Sequence, residues 1–201
     1  MINYIQTNIL DMLEAIGEDC CQNILSNFIC PLNSDVEDFL HTKAIPFAKQ
    51  RIAVSYLVFA EHNKQQNLVG YYTLANKFVC VSGSVLSKTM QKKIAKFSQY
   101  DSDSDRFMIS MPLIAQLGKN YDSSISSSIS GSDLLALALE RVLEIEHLIG
   151  GKTVYIECNN QPKLFTFYSN FGFFPFNERI RDNNDVSLDN LLIQMLKYFH
   201  Y

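Results

Sequence analysis

The sequence predicts an α/β fold in which helices flank a mixed, mostly antiparallel central sheet. Three observations predict it. Apolar residues recur at helical spacing ahead of Pro31, and two β-branched and aromatic runs at residues 52–60 and 68–75 indicate a hairpin. From residue 107 onward, predicted strands and helices alternate. This alternation is typical of a strand-helix-strand crossover within one sheet.

Length and composition favour one domain spanning residues 1–201. The chain has 201 residues, of which 47% are hydrophobic, and this is enough for one sizeable core. No apolar run reaches the ~18 residues that a membrane-spanning helix needs, so no membrane partner is expected. The N-terminus has no basic residue ahead of an apolar stretch, and none of the five cysteines lies in a Cys-x-x-Cys pair. Both features predict a cytoplasmic, reduced protein.

Charge is unevenly distributed along the chain. The 17 basic and 21 acidic side chains give a net charge of −4, and residues 101–201 contain eight basic and thirteen acidic ones. This acidity argues against a dedicated nucleic-acid binder, whose affinity would depend on Lys and Arg. Lys88, Lys92 and Lys96 recur at four-residue spacing, which fits either a solvated helix face or a local basic face.

The elements of the first half follow from spacing and from helix-breaking residues. Apolar residues at helical spacing predict a helix over residues 20–29, ended by Pro31. A second helix is expected after Asn33 or Ser34, because three acids fall in its first turn. The predicted hairpin strands are joined by a turn at residues 62–67, with residues 79–81 as an extension of the second strand, and a short helix follows at residues 87–97.

The second half contains the clearest strand-helix alternation. A strand is predicted at residues 107–117, followed by a helix at 133–149. Ser130 and Ser132 are both candidate N-caps of this helix, and Gly150-Gly151 would end it. A strand at residues 153–157, a helix at 162–170 and a last segment at 191–199, open between strand and helix, complete the list.

The junction between the 107–117 strand and the following helix is a candidate anion site. A loop of small residues that opens a helix leaves main-chain amides unpaired, and these amides bind phosphate well. Ser126 to Ser132 would supply amides and hydroxyls, with Gly131 allowing close approach. The alternative is a mobile serine-rich loop. The segment matches neither a P-loop nor a dinucleotide-binding motif.

A second candidate for chemistry is the run Phe167-Tyr-Ser-Asn-Phe-Gly-Phe173. It places Tyr168 near the end of a short helix, with Gly172 turning the chain behind it. A tyrosine in a partly dry site can donate a proton to a sulfur or oxygen leaving group. The alternative is that Tyr168 is one of the core or rim residues among ten tyrosines.

These two pieces together carry a family resemblance. Residues 106–176 resemble the acyl-CoA-binding core of the GCN5-related N-acetyltransferases, with Tyr168-Ser-Asn-Phe-Gly-Phe173 as the most specific match. Upstream, residues 28–40 and 69–75 are similar to the branch that includes toxins of toxin-antitoxin pairs. The resemblance implies the acyl-CoA fold of that superfamily, with acetyl-CoA as cosubstrate.

The resemblance also implies roles for individual residues. Tyr168 matches the tyrosine that protonates the departing thiolate, and a backbone amide near Leu117 would hold the oxyanion. Of the usual Gln/Arg-x-x-Gly-x-Gly/Ala loop only Gly131 is kept. The implied cofactor-binding residues are Leu117, Lys119, Ser130, Gly131, Ser132, Asn160 and Phe165.

Other candidate groups are assigned structural roles. No Asp or Glu lies in residues 107–117, where many relatives keep a base, and Glu157 is open between a water-mediated base and a structural acid. We therefore assign no base. Cys80 and Cys158 are expected to be small buried hydrophobes. The four histidines share no ligand spacing, so no metal site is expected.

The leading hypothesis is an acetyl-CoA-dependent N-acetyltransferase that acts on a primary amine by direct attack on the thioester. A small-molecule or protein amine suits the acidic charge balance, whereas the toxin-like branch implies aminoacyl-tRNA as acceptor. A rival is a CoA-binding regulatory module that keeps the fold without catalysis. A homodimer is left open as the assembly.

Overall fold

The structure is a computed structural model that describes residues 4–62, 64–180 and 191–200. Its strands are β1 (Tyr4–Asn8), β2 (Val54–His62), β3 (Gln65–Ser82), β4 (Gln99–Asp101), β5 (Arg106–Lys119), β6 (Thr153–Asn159), β7 (Phe174–Ile180) and β8 (Leu191–Tyr198). Its helices are α1 (Ile9–Ile16), α2 (Glu18–Leu25), α3 (Ser34–Asp38), α4 (Ala44–Lys49), α5 (Lys88–Ile94), α6 (Gly131–Ile149) and α7 (Pro162–Asn170). A π-helical turn, Phe39–Lys43, joins α3 to α4, and a 3₁₀ turn, Gly83–Val85, follows β3.

The described strands form one sheet in the order β1-β2-β3-β5-β6-β8-β7, with β4 paired to β5. The β1–β2, β2–β3, β4–β5, β6–β8 and β7–β8 pairs are antiparallel. β5 and β6 are neighbours connected through α6, as the strand-helix-strand pattern predicts. The predicted fold class, a mixed α/β fold with a mostly antiparallel sheet, is confirmed.

The chain divides into two compact units, which we describe separately. The first comprises Met1–Ala75 and Ile114–Arg141, and its core packs α1 to α4 against β2 and β3. Burial of these apolar side chains is the main stabilising contribution, at about 25 cal/mol per Å². Members of this core are Ile9, Met12, Cys21, Leu25, Phe28, Val36, Phe39, Leu40, Ala44, Ile45, Leu57, Leu68 and Tyr71.

The second unit comprises Asn76–Leu113 and Val142–Tyr201. Its strands β6 and β8 are paired residue by residue, from Thr153 opposite Tyr198 to Asn159 opposite Leu192, and β7 pairs with β8 with a register shift between Pro175 and Asn177. The buried side chains of this unit include Ile94, Ile109, Met111, Val154, Ile156, Tyr168, Phe173, Met195 and Leu196.

Most predicted elements are present, with shifted ends. The 191–199 segment, left open by the sequence, is strand β8 for most of its length. The predicted hairpin is confirmed, but its turn is shorter than residues 62–67, because His62 pairs with Gln65 and both strands run further than expected. Lys64 adopts a left-handed φ of 62°, and this lets a short connection close the hairpin.

The sequence prediction missed five elements, β1, α1, α4, β4 and β7. β1 and β7 lie at the two ends of the strand order and pair on one side only, so their polar and apolar residues do not alternate clearly. α1 begins after Asn8, whose side chain accepts a hydrogen bond from the Leu10 amide at 2.9 Å. Gly17, at φ 77°, ends α1 and starts α2.

Candidate functional site

At the end of β5, side chains of the first unit pack closely against the main chain of Gly118. A Cβ added at Gly118 would lie 2.5 Å from Val36 and 2.6 Å from Tyr71. The next buried residue, Asn120, donates from its amide nitrogen to the Val69 carbonyl at 2.9 Å and from its side chain to the Leu68 carbonyl at 2.9 Å. The predicted site residues Leu117 and Lys119 flank Gly118 and are half-buried.

The serine-rich loop after β5 is organised by hydrogen bonds. Asp122 accepts from the Ser124 amide at 2.8 Å, and its carbonyl accepts from the Ser126 amide at 2.8 Å. The Tyr4 hydroxyl donates to the Ser128 carbonyl at 2.9 Å, and Ile129 is buried. The Tyr4 hydrogen bond and the burial of Ile129 therefore tie this loop to the rest of the first unit.

A reciprocal capping box starts α6. The Ser130 hydroxyl accepts from the Asp133 amide at 3.1 Å, and the Asp133 carboxylate accepts from the Ser130 amide at 3.0 Å and the Ser130 hydroxyl at 2.6 Å. The Ser130 side chain and then its amide lower the pKa of Asp133 through these bonds. Ser130 is therefore the N-cap, and the alternative cap Ser132 lies inside the helix.

The capping box determines which amides face outward at this helix end. The Ser130 amide is already bonded to Asp133. In the described part of the chain, the amides of Gly131 and Ser132 have no hydrogen-bond acceptor. Asp133 is a functional candidate that the sequence analysis missed, although the Ser-x-x-Asp pattern of a capping box was there to find it.

Gly70 on β3 lies against both the end of β5 and the start of α6. A Cβ at this position would lie 3.0 Å from the Gly118 carbonyl oxygen and 3.3 Å from the Leu134 side chain. The end of β5 and the first turn of α6 therefore both approach the same point of β3. Leu117, Lys119, Ser130, Gly131 and Ser132 all belong to these two segments.

In the second unit, Tyr168 is buried on α7. Burial, and to a smaller extent the nearby Cys158 thiol, raises the pKa of Tyr168 above its ordinary value of 10.0. Its ring packs against Phe173, with the centroids 5.8 Å apart. Among the described residues, its hydroxyl has no hydrogen-bond partner. At neutral pH this group is therefore a protonated, desolvated phenol.

The turn behind Tyr168 is closed by main-chain hydrogen bonds. The Phe173 amide donates to the Tyr168 carbonyl at 3.2 Å, and Gly172 adopts φ 82°, which favours glycine. The Lys197 ammonium donates to the Phe171 carbonyl at the C-terminal end of α7. The Tyr-x-x-x-Gly-Phe run is thus a helix end whose geometry fixes the position of Tyr168.

The remaining predicted residues of the second unit lie around α7. Asn160 is exposed in the connection from β6, and Phe165 is 42% exposed on the helix. Cys158 is buried, which raises the pKa of its thiol to about 11. Cys80 is exposed, so the prediction that it is buried is wrong, because alternation along β3 turns it away from buried Val79 and Val81.

Glu157 has partners that explain it as a structural acid. Its carboxylate accepts from the Gln194 side chain at 2.7 Å and pairs with Arg179 at 3.2 Å. The described residues contain no group of three or more His, Cys, Asp or Glu side chains arranged to hold a metal ion. In the same residues, no helix is both long and apolar enough to cross a membrane.

Comparison with known proteins shows the fold. No protein-family model matches the sequence, and no curated protein sequence matches it. Among solved structures, AtaT complexed with acetyl-methionyl-tRNAfMet is 22% identical with a TM-score of 0.62, covering 95% of this chain and 94% of that one. A tyrosine-to-phenylalanine mutant of KacT is 20% identical with a TM-score of 0.61, covering 96% and 94%.

The chain has the GCN5-related N-acetyltransferase fold. A third similar structure, AtaTR bound with acetyl-CoA, has a TM-score of 0.56 at 18% identity and covers 95% of this chain and 92% of that one. AtaT is a toxin, so the resemblance to the toxin-like branch is confirmed for the fold. At these identities the likeness shows the fold alone.

Proposed function

We propose that this protein is an N-acetyltransferase that moves an acetyl group from acetyl-CoA to a primary amine. The observation that carries the proposal is Tyr168, a buried phenol with a raised pKa and no hydrogen-bond partner among the described residues. It lies in the Tyr-x-x-x-Gly-Phe helix end of a GCN5-related fold. A phenol in this state keeps its proton at pH 7 and can give it to a leaving group.

The chain also has groups that fit acetyl-CoA, which would supply the thioester. The unbonded amides of Gly131 and Ser132 suit the pyrophosphate. Main-chain groups of Leu117 and Lys119 suit the pantetheine arm, and Asn160 and Phe165 are proposed to pack along it. The structures of AtaTR bound with acetyl-CoA and of AtaT bound with acetyl-CoA and the antitoxin C-terminus support this choice of cosubstrate.

The residues of the chain would then divide the work of the reaction. A backbone amide near Leu117 would stabilise the oxyanion that forms when the amine attacks the carbonyl. Tyr168 would protonate the departing thiolate. Glu157 is engaged by Arg179 and Gln194, so we assign it no catalytic role, and the proton of the amine has no assigned acceptor.

We further propose the amino group of aminoacyl-tRNA as the acceptor. The support is that AtaT, which matches 95% of this chain, was solved with acetyl-methionyl-tRNAfMet. Aminoacyl-tRNA and acetyl-CoA are both present in the cytoplasm, where the protein is proposed to act. A small-molecule or protein amine remains the alternative acceptor that the net charge of −4 favours.

Two measurements test the proposal. Calorimetric titration should show binding of acetyl-CoA, and no heat at high micromolar ligand would overturn it. Transfer of a radiolabelled acetyl group to aminoacyl-tRNA should be detected, with deacylated tRNA as the control that lacks the amine. Transfer to a small-amine panel but not to aminoacyl-tRNA would keep the enzyme class and reject this acceptor.

A CoA-binding module without catalysis is the second candidate. The observation in its favour is the α6 capping box, which uses the Ser130 amide and places the Asp133 carboxylate at the helix N-terminus. This end has fewer free amides and more negative charge than a dedicated pyrophosphate loop. Binding of CoA without transfer to any amine would support this candidate over the enzyme.

A further inference from the structure

One segment of the second unit reverses the charge balance of the chain. Residues 76–100 contain five lysines and no Asp or Glu, whereas all other residues together contain 12 basic and 21 acidic side chains. The segment includes the end of β3, the 3₁₀ turn and α5. Asp101, Asp103 and Asp105 follow directly, and the Asp105 carbonyl accepts from the Gly83 amide at 2.8 Å, so the acid-free surface is that of α5 and the residues after it. A solvated surface usually mixes both signs of charge, so the lysines of α5 indicate an anionic partner.

α5 is anchored so that its lysines point outward. The Ser87 hydroxyl caps its N-terminus by accepting from the Met90 amide at 3.2 Å, and Ile94 is fully buried beneath it. The Gln91 side chain donates to the Gly83 carbonyl at 2.8 Å. Lys88, Lys92 and Lys96 are exposed, and none of them forms an ion pair within the described residues.

Aromatic rings lie beside the fourth lysine of this cluster, Lys93. The Lys93 ammonium is 5.2 Å from the centre of the Tyr198 ring and 3.4 Å from His200 Nδ1. Tyr198 stacks on Phe97 with ring centroids 6.3 Å apart, and its centroid is 5.1 Å from that of His200. We define the α5 face as Lys88, Lys92, Lys93, Lys96, Phe97, Tyr198 and His200.

We infer that the α5 face binds RNA, as the surface that holds the body of the acceptor. Unpaired lysines neutralise backbone phosphates, and the aromatic rings beside Lys93 offer stacking partners to exposed bases. Phe78 and Val85 of the same segment are exposed, but the groups that contact Lys93 are a phenol and an imidazole, which suit RNA better than a lipid surface. The choice of RNA over DNA rests on the proposed function.

The test is tRNA binding by fluorescence anisotropy, using the full chain and a labelled tRNA transcript from 50 to 200 mM salt. The variant Lys92→Gln/Lys96→Gln should reduce the slope of log affinity against log salt by about two. The matched control Lys43→Gln/Lys64→Gln removes the same charge from the first unit and should leave the slope unchanged. Equal effects of the two pairs would overturn the inference.

A second variant tests whether the Tyr198 ring contributes to tRNA binding. Tyr198→Leu should weaken tRNA binding about fivefold or more, because stacking on a ring is lost while an apolar side chain remains. A thermal melt matching that of the starting protein shows that the variant is folded. Unchanged tRNA affinity in a folded Tyr198→Leu variant would overturn the stacking contribution.

Three further outcomes test the partner and separate this inference from the proposed function. Duplex DNA or anionic phosphatidylserine vesicles that compete as strongly as tRNA would overturn RNA as the partner. Acetyl-CoA titration of Lys92→Gln/Lys96→Gln should match that of the unchanged chain. If the protein binds tRNA through the α5 face but does not bind acetyl-CoA, the proposed function fails, and the α5 face stands as an RNA-binding surface without the acceptor role.

Discussion

The N-terminus of α6 and the α5 face are both assigned to anions, but they offer opposite chemistry. At α6, the groups available are main-chain amides, and the nearest charged side chain is the Asp133 carboxylate that caps the helix. On the α5 face, the groups are lysine ammonium ions, in a 25-residue stretch, residues 76–100, with no acid at all. The first region belongs to the first compact unit and the second to the other.

This difference shows how an acidic chain can serve two anionic ligands. Amides in a helix turn bind a small anion by direction and distance, so they need a closely packed backbone and little net charge. Lysines attract a long polyanion by charge, so they need neither a fixed geometry nor a closed pocket. We expect the two regions to respond differently to salt, to packing changes and to removal of single charges.

Both regions are proposed to bind ligands and neither carries the chemistry, so the largest effect is expected at Tyr168. Tyr168→Phe should lower the turnover number about 100-fold or more, because the proton donor is lost, while acetyl-CoA affinity stays within about twofold. Tyr155→Phe is the matched control, since Tyr155 is also a buried tyrosine of the second unit with a raised pKa. Full turnover in Tyr168→Phe would remove the acid role.

The pH profile gives an independent reading of Tyr168. Because burial raises its pKa, the protonated donor persists through pH 10.0, the ordinary value for tyrosine. Turnover should therefore show no loss from tyrosine ionisation between pH 7 and pH 9. A decline in that range that disappears in Tyr168→Phe would contradict the raised pKa.

The next largest effect is expected from salt, which should weaken tRNA binding more than acetyl-CoA binding. Between 50 and 200 mM salt, tRNA affinity should fall about 100-fold if about four phosphates are contacted through lysines. Acetyl-CoA affinity should fall less than about tenfold, because amides carry no counterion-releasing charge. Equal salt dependence of both ligands would break the distinction between amide and lysine binding.

Packing at the end of β5 should matter for stability. Gly118→Ala should lower the free energy of unfolding by about 1 to 3 kcal/mol, because a Cβ there would lie 2.5 Å from Val36 and 2.6 Å from Tyr71. Gly17→Ala is the control for simple loss of glycine. Its Cβ would meet nothing within 4 Å, so its cost of about 1 to 3 kcal/mol comes from the backbone alone, because φ 77° with ψ 166° is open almost only to glycine. Denaturant unfolding measures both variants.

The smallest expected effect is that of Asp133 on acetyl-CoA affinity. Here the substitution should strengthen binding, whereas the other changes weaken a property of the protein. Asp133→Asn should raise acetyl-CoA affinity about threefold, because it removes a negative charge from the proposed pyrophosphate site. Asp122→Asn is a close control, since its carboxylate also has a lowered pKa and accepts from Ser124, but it lies outside any helix. An equal gain in both variants would indicate a general charge effect.

Local signals in the sequence predicted much of the site. Pro162 and Gly172 bracket α7, so the helix and the position of Tyr168 near its end could be predicted from breakers alone. Ser130 was a candidate cap because its hydroxyl needs only the next turn as a partner. The single domain over residues 1–201 and the cofactor-binding roles remain predictions.

Other features depend on partners that are distant in the chain, and only the tertiary structure decided them. The burial of Tyr168, the confinement of Gly118 and the ring of Tyr198 beside Lys93 each join segments separated in sequence. By itself, the sequence determined the fold class, the alternation of elements and the lysine-rich segment, because these follow from local spacing and composition. The structure alone decided which groups are desolvated and which stay free to bind, because desolvation and pairing arise when distant segments pack together.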